Sequence, residues 1–470
     1  MKKKDLALPV KDQSPIKVPV KRLLIANRGE IAVRIIRSCR ELGIETVAVY
    51  STADKDSLHV RLADQAVCIG PPAPSQSYLV TSNLLMAAQH SGAEAIHPGV
   101  GFLSENAGFA RLVRDKGFIF IGPDPDVIEL LGDKVKARET AGRFGLPVTP
   151  GTKEAVSDSA AAAEAAKEIG FPVIIKAAAG GGGKGMRIVR KSEDLAENLA
   201  IASREAESNF ADGRVFIERY LENPRHVELQ IIADGCGNVA VLGERDCTVQ
   251  RNHQKLIEES PSPAVDETMR RRMSEGAVGM FRELQYRGAG TIEFLVEGKN
   301  FYFMEVNARV QVEHPVSELV TNTDIIRQQI VACTTGRMET DPAAVRIEGW
   351  AVECRINALG PGTVSRLDVP GGPGTRFDSF LYTGCKVPPH YDSMVAKLIV
   401  HAPGRTRALD RMDRALGELV IEGIKTNKEE QRLIIGEKVF RSGVFGTSYY
   451  ENTAAHLRAM SLRGASSAVS

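Results

Sequence analysis

The chain has 470 residues, 43% hydrophobic and 25% charged, enough for about three domains with a sizeable buried core. Sixty Lys and Arg against 59 Asp and Glu leave a formal charge of +1, so no global field draws the protein to nucleic acid or anionic lipid. No apolar run approaches the length that spans a bilayer, which argues against a membrane protein.

Residues 1–20 carry Lys2, Lys3 and Lys4 but are broken by Asp5, Asp12 and three prolines. They lack the continuous apolar stretch of a signal peptide and read as a disordered, solvated tail. Leu23–Ala26 reads as a buried strand, Glu30–Leu42 as a helix with Ile31, Ile35 and Leu42 near helical spacing, and Thr46–Tyr50 as the next strand. This βαβ unit opens an alternation running to about Gly132 and predicts an α/β fold with a largely parallel sheet. Its turn, Asn27-Arg28-Gly29-Glu30, lacks the GxGxxG of a dinucleotide site. The spacing then predicts a helix over 153–169, a strand over Phe171–Lys176, a glycine-rich loop over Gly180–Gly185 and a strand over Met186–Val189. From Val215 to Glu313, period-two alternation such as His226-Val-Glu228-Leu-Gln230 predicts an antiparallel sheet with one covered face. Turns followed by helices are expected between Trp350 and Leu462. Seven cysteines without a CxxC pair read as reduced core residues of a cytoplasmic protein.

Three segments carry chemistry. Lys176 and Lys184 flank glycines whose backbone N–H groups could wrap polyphosphate oxygens, although a glycine run alone equally fits a flexible hairpin. Glu293, with Glu305 and Asn307 two apart on one strand face, offers hard oxygen ligands suited to Mg²⁺ that also binds water and phosphate. Phe303, Met304 and Val306 would bury that strand's other side. If the chain stays extended, Arg309, Gln311 and Glu313 continue the same face and could hold and deprotonate a small oxyanion.

Several motifs then fall in a known order: Leu24-Ile-Ala-Asn-Arg-Gly-Glu, His97-Pro-Gly, Gly101-Phe-Leu-Ser-Glu-Asn, Gly132-Asp-Lys134, Glu222-Asn-Pro-Arg-His226, Gln250-Arg-Asn-His253-Gln-Lys255, Gly288-Ala-Gly-Thr-Ile-Glu293, Asn307-Ala-Arg309-Val-Gln311-Val-Glu313 and Ala351-Val-Glu-Cys-Arg355. Over about residues 21–460 the chain resembles the biotin carboxylase family of ATP-grasp enzymes. The resemblance implies a mixed α/β and α+β fold: a Rossmann-like pre-ATP-grasp domain (21–133), an ATP-grasp domain (134–335) with a mobile lid at about 150–220, a C-terminal domain (350–460) and a tail (461–470). It implies ATP contacts from Lys134, Lys176, Gly182, Gly183, Met186, Glu218, Arg219, Tyr220, Leu221, His226, Gln250 and His253, and Mg²⁺ or Mn²⁺ on Glu293, Glu305 and Asn307. Bicarbonate would lie against Lys255, Arg309, Gln311 and the backbone of Val312, with Glu313 as base and Arg355 stabilising the biotin enolate. Implied partners are a biotin carboxyl carrier protein, carboxyltransferase subunits such as those of acetyl-CoA carboxylase, and a second copy in a homodimer. No Met-Lys-Met biotinylation motif occurs, so biotin would arrive on the separate carrier. The chain departs from the family at Val100, where an aromatic is usual, after Ala358, where an acidic-Pro loop is missing, at Pro373 and at Ala179. Those departures leave open an ATP-grasp carboxylase acting on a different small acceptor.

Overall fold

The computed structural model describes residues 16–152, 154–156, 158–177, 186–210, 212–453 and 456–457. The expected glycine loop, including Gly182 and Gly183, lies outside the described residues, as do residues 1–15 and 458–470.

The first sheet is parallel, ordered Gln65–Gly70, Glu45–Ser51, Arg22–Ile25, Ala95–His97, Ile119–Phe120. The helix Gly29–Glu41 covers it because Ile31, Ile35, Ile36 and Cys39 share one face and reach Leu23 and Ile25. Each such isoleucine contributes about 1.5–3 kcal/mol by leaving water. The strand order reverses beside Arg22–Ile25, and the Asn27 amide there donates to the carbonyls of Pro98 (2.7 Å) and Val100 (2.8 Å). Asn27 approaches so closely that a Cβ on Gly99 would lie 2.7 Å from its amide nitrogen. Part of the expected tail is structured: Val20 is buried and Val18 packs on the same core, because both are apolar and precede the first strand directly.

The second sheet has eight antiparallel strands in the order Asn300–Asn307, Arg287–Glu297, Arg225–Asp234, Val239–Arg251, Gln254–Ser260, Trp350–Asn357, Met394–Ala402, Thr375–Ser379. Its last three strands come from the region where the sequence suggested turns and helices, so the sheet runs across that expected division. One covered face was also too few. Every residue of Arg225–Asp234 is buried, because neighbours cover its polar side as well as its apolar side.

A small third sheet, Met186–Val189, Val173–Ala177, Val215–Arg219, packs on the helices Ser159–Ile169 and Leu195–Phe210 around its own core of Val173, Ile175, Leu199, Ala202 and Ile217. The first helix starts at Ser159, later than its alanine content suggests, because Asp158 caps it by accepting from the N–H groups of Ala160 and Ala161. The expected strand that follows it starts at Val173, after Pro172, which has no N–H to give a ladder. Five cysteines are buried free thiols as expected, whereas Cys68 and Cys236 are exposed on a sheet edge and a turn.

Candidate active site

Register in the eight-stranded sheet builds the site. Glu305 pairs with Glu293, Glu293 with Glu228, and Glu228 with Arg245, so one row of charged side chains crosses four strands. Directly opposed like charges repel, which makes this row untenable without cations between them. Lys255 supplies one: its Nζ donates to Glu228 (2.7 Å), Glu293 (3.0 Å) and Glu313 (2.7 Å). Arg245, fully buried, supplies the other, donating to Glu228, Gln230 Oε1 (2.6 Å) and Gln311 Oε1 (2.8 Å).

Gln311 returns its amide to Glu293 Oε1 at 2.9 Å, and Asn307 Nδ2 reaches the same oxygen at 3.0 Å. His226 Nε2 lies 2.9 Å from Glu293 Oε2, and Gln250 Nε2 lies 2.8 Å from His226 Nδ1. Burial works against a charge on His226, yet Glu293 outweighs it and raises the imidazole pKa. For Glu293 burial again opposes ionisation, and Lys255 and His226 win, holding its carboxyl well below the usual range.

The expected extended run beyond Asn307 is not a strand. Glu105 accepts from the Ala308 N–H (3.1 Å) and from Arg309 Nε (2.7 Å), taking the backbone donor a ladder would need, and the chain turns into the helix His314–Thr321. Gln311 and Glu313 still converge on Lys255 and Glu293, while Arg309 lies at the rim and donates to Asn307 Oδ1 at 2.9 Å. Glu313 is buried between Lys255 and Arg355, whose Nη2 donates to it at 3.0 Å. Burial alone would raise its pKa; Lys255, Arg355 and Arg245 together push it well below the ordinary carboxylate value. Lys397 donates to the Val312 carbonyl at 2.7 Å and so orients that peptide.

The residues expected to hold a metal have a donor set that fits a hard divalent cation. Glu305 accepts no hydrogen bond from a described side chain, and burial together with Glu293 raises its pKa against the weaker opposing pull of Lys134 and His226, so negative charge is undercompensated at this end of the row. A bulge sets that geometry: Glu293 pairs with Glu305 but Phe294 with Phe303, which leaves Met304 as the extra residue. Met304 is therefore exposed rather than buried, and Phe303 and Val306 carry the core contacts. Among the described residues two further donor groups occur, His226 with Glu228 and Glu293, and Glu228 with Cys247 and Glu313.

The residues expected to contact ATP are more dispersed. Lys176 Nζ donates to Glu218 at 2.6 Å, and Arg138 donates to the other Glu218 oxygen. Glu218 to Leu221 lead from the small sheet toward the large one: Arg219 is exposed, Tyr220 half-buried and Leu221 buried. Lys134 opens the helix Lys134–Arg143 behind its cap Asp133, and Met186 is exposed at a strand start. His253 lies exposed at a hairpin turn with φ of 62°.

Sequence reasoning passed over Glu228, Arg245, Gln230, Glu258 and Glu105. The signal for the first was present in the His226-Val-Glu228-Leu-Gln230 alternation, whose polar positions face a buried charged layer rather than solvent.

Family models match the whole architecture: the biotin carboxylase N-terminal domain at residues 19–128, the ATP-binding domain of the carbamoyl-phosphate synthase L chain at 133–339, and the biotin carboxylase C-terminal domain at 353–452. Biotin carboxylase 1 of Bacillus subtilis is 50% identical over 442 residues, covering 92% of this chain and 98% of that protein. The biotin carboxylase–beta-gamma-ATP complex from Campylobacter jejuni superposes with a TM-score of 0.86 at 44% identity, over 92% of this chain and 99% of that one. The biotin carboxylase domain dimer of Hydrogenobacter thermophilus 2-oxoglutarate carboxylase, solved with MgADP, ADP and bicarbonate, gives 0.85 at 44% identity, over 93% and 98%. By sequence, by its three domains and by its fold, the chain belongs to the biotin carboxylase family.

Proposed function

We propose that this chain carboxylates biotin on a separate carrier protein, using ATP and bicarbonate by way of carboxyphosphate, as the first half-reaction of a biotin-dependent carboxylase. The observation that carries the reading is Glu313 held between Lys255 and Arg355, beside Gln311 and the anchored Val312 peptide. Bicarbonate fits this pocket as the anion that takes Lys255 as its own partner. Once Lys255 turns to bicarbonate, Glu313 loses a stabilising cation and its proton affinity rises, which suits it to act as base. The deprotonated oxygen attacks the terminal phosphorus of ATP and ADP leaves; the carboxyl group of the resulting carboxyphosphate then passes to biotin N1 as its bond to phosphate breaks, and the released phosphate takes up the N1 proton. Arg355 then faces the developing negative charge on the biotin ring. Glu293, Glu305 and Asn307 would hold Mg²⁺, which would offset the negative charge of the phosphates during transfer. Lys134, Lys176, Met186, Glu218 to Leu221, His226, Gln250 and His253 form the nucleotide side, with Gly182 and Gly183 carried over from the motif.

The division at 21–133, 134–335 and 350–460, with a lid at about 150–220, is supported by the separate core of the small sheet and by the extents of the family models. A biotin carboxyl carrier protein, carboxyltransferase subunits and a second copy of the chain are the partners this activity calls for, and its buried free thiols suit the reducing cytoplasm. The deciding experiment measures bicarbonate-dependent ATP hydrolysis and label transfer from bicarbonate to a biotinylated carrier. Transfer to another small amine but not to the carrier would favour the ATP-grasp carboxylase of different specificity that Val100 and the shortened loop after Ala358 leave open.

A further inference from the structure

Beneath Arg355 lie two carboxylates that the mechanism above does not use. Glu258 on Gln254–Ser260 and Glu353 on Trp350–Asn357 are directly opposed across their antiparallel ladder, so their side chains stand on the same face. Both are fully buried. Glu258 Oε1 accepts from Arg355 Nε, but Glu258 Oε2 and both oxygens of Glu353 have no hydrogen-bond partner among the described residues.

The donors around this layer are committed elsewhere. Lys397, from the adjoining strand, serves Val312 and lies 3.2 Å from Glu30 of the first helix. Arg34 and Arg376 are held by Glu318, Asp324 and Asp378. Arg245 and Lys255 serve Glu228, and Lys255 also serves Glu293 and Glu313. His314 is turned to the Gln311 carbonyl and kept neutral by burial, and the Cys247 thiol stays protonated for the same reason.

Two ionised carboxylates cannot stand opposed in such a place, whereas one protonated carboxyl can donate to the other. We infer that Glu258 and Glu353 share one proton, forming a carboxyl–carboxylate pair of single negative charge that positions the Arg355 guanidinium against Glu313. The direction of their titration agrees: burial raises both, Glu258 to about 7 and Glu353 well above the ordinary value. Loss of the shared proton at alkaline pH would place a second negative charge under Arg355 and draw it from Glu313. Both residues are positioning residues, acting through Arg355.

This inference rests on the biotin carboxylase reading only for its kinetic arm. Glu353→Leu, which cannot donate, is expected to lower the turnover of bicarbonate-dependent biotin carboxylation about tenfold or more while leaving the Michaelis constant for ATP unchanged. Glu353→Gln, a permanent neutral donor, is expected to recover most of that loss and to remove the alkaline fall from the pH profile. Rescue without a change in the alkaline limb, or equal losses in both variants, would overturn the shared proton. The second arm needs no substrate: infrared difference spectra at mildly alkaline pH, wild type minus Glu353→Gln, are expected to show the carbonyl stretch of a protonated buried carboxyl. Its absence in folded protein overturns the inference even where the enzyme proves to carboxylate something other than biotin. An inactive wild type that shows the band would instead count against the biotin carboxylase reading alone.

Discussion

Replacing Glu313 by glutamine tests the central assignment with almost no change in volume. The carboxylate accepts from Lys255 at 2.7 Å and from Arg355 at 3.0 Å. The amide keeps one acceptor oxygen and turns an NH₂ group toward the second cation, so one charge-assisted hydrogen bond worth about 1.5–3 kcal/mol is lost. The base is lost too, and removing a general base typically costs about 10²–10⁴ in rate, or roughly 2.7–5.5 kcal/mol of barrier. Bicarbonate-dependent ATP hydrolysis is therefore expected to fall at least about a hundredfold. Glu313 has no hydrogen bond to Lys176 or Glu218, so calorimetric titration with Mg-ATP is expected to give a nearly unchanged dissociation constant. Wild type is also expected to keep its base ionised throughout neutral pH, because Lys255, Arg355 and Arg245 overcome the effect of burial on Glu313. A parallel loss of ATP affinity would refute the reasoning and make Glu313 a structural or metal-binding residue.

Glu218→Gln removes the anion that engages Lys176 and Arg138 and is expected to change the Michaelis constant for ATP by about tenfold with turnover largely kept; an unchanged constant would separate this pair from the nucleotide. Val100→Tyr is expected to lower the Michaelis constant for free biotin about two- to tenfold without altering that for ATP, from roughly 0.5–1.5 kcal/mol of added aromatic contact, and unaltered biotin kinetics would place position 100 outside the pocket. Asp378, buried and paired with Arg376 at 2.6 Å, has its pKa lowered because that guanidinium outweighs burial. A depressed carboxylate stabilises the fold above its unfolded pKa of about 3.9 and loses that contribution as pH falls toward its folded value. Asp378→Asn is thus expected to cost about 3 kcal/mol at neutral pH. Its gap to wild type in urea titrations should narrow below about pH 4, and a constant gap would show that the pair's charge is not the source.

The opening alternation of strands and helices, the carboxylates at 293 and 305, and the polar run from Asn307 to Glu313 were legible along the chain, because side-chain alternation and turn residues are local properties. What lies across from a strand, and what covers its second face, is not local. Only the register of the folded sheet puts Glu305, Glu293, Glu228 and Arg245 in one row, and only the packing of the helix His314–Thr321 and its preceding turn against that sheet buries the row and brings Lys255 to Glu313. The extension of the sheet by strands from beyond residue 350 likewise places Arg355 and Lys397 beside residues far away in sequence. A buried charge is stable only where opposite charges and donors surround it, and those partners come from separate strands. Alternation in the sequence therefore marked these positions as polar, while the tertiary structure alone decided that they are buried and paired around Lys255 and Arg245.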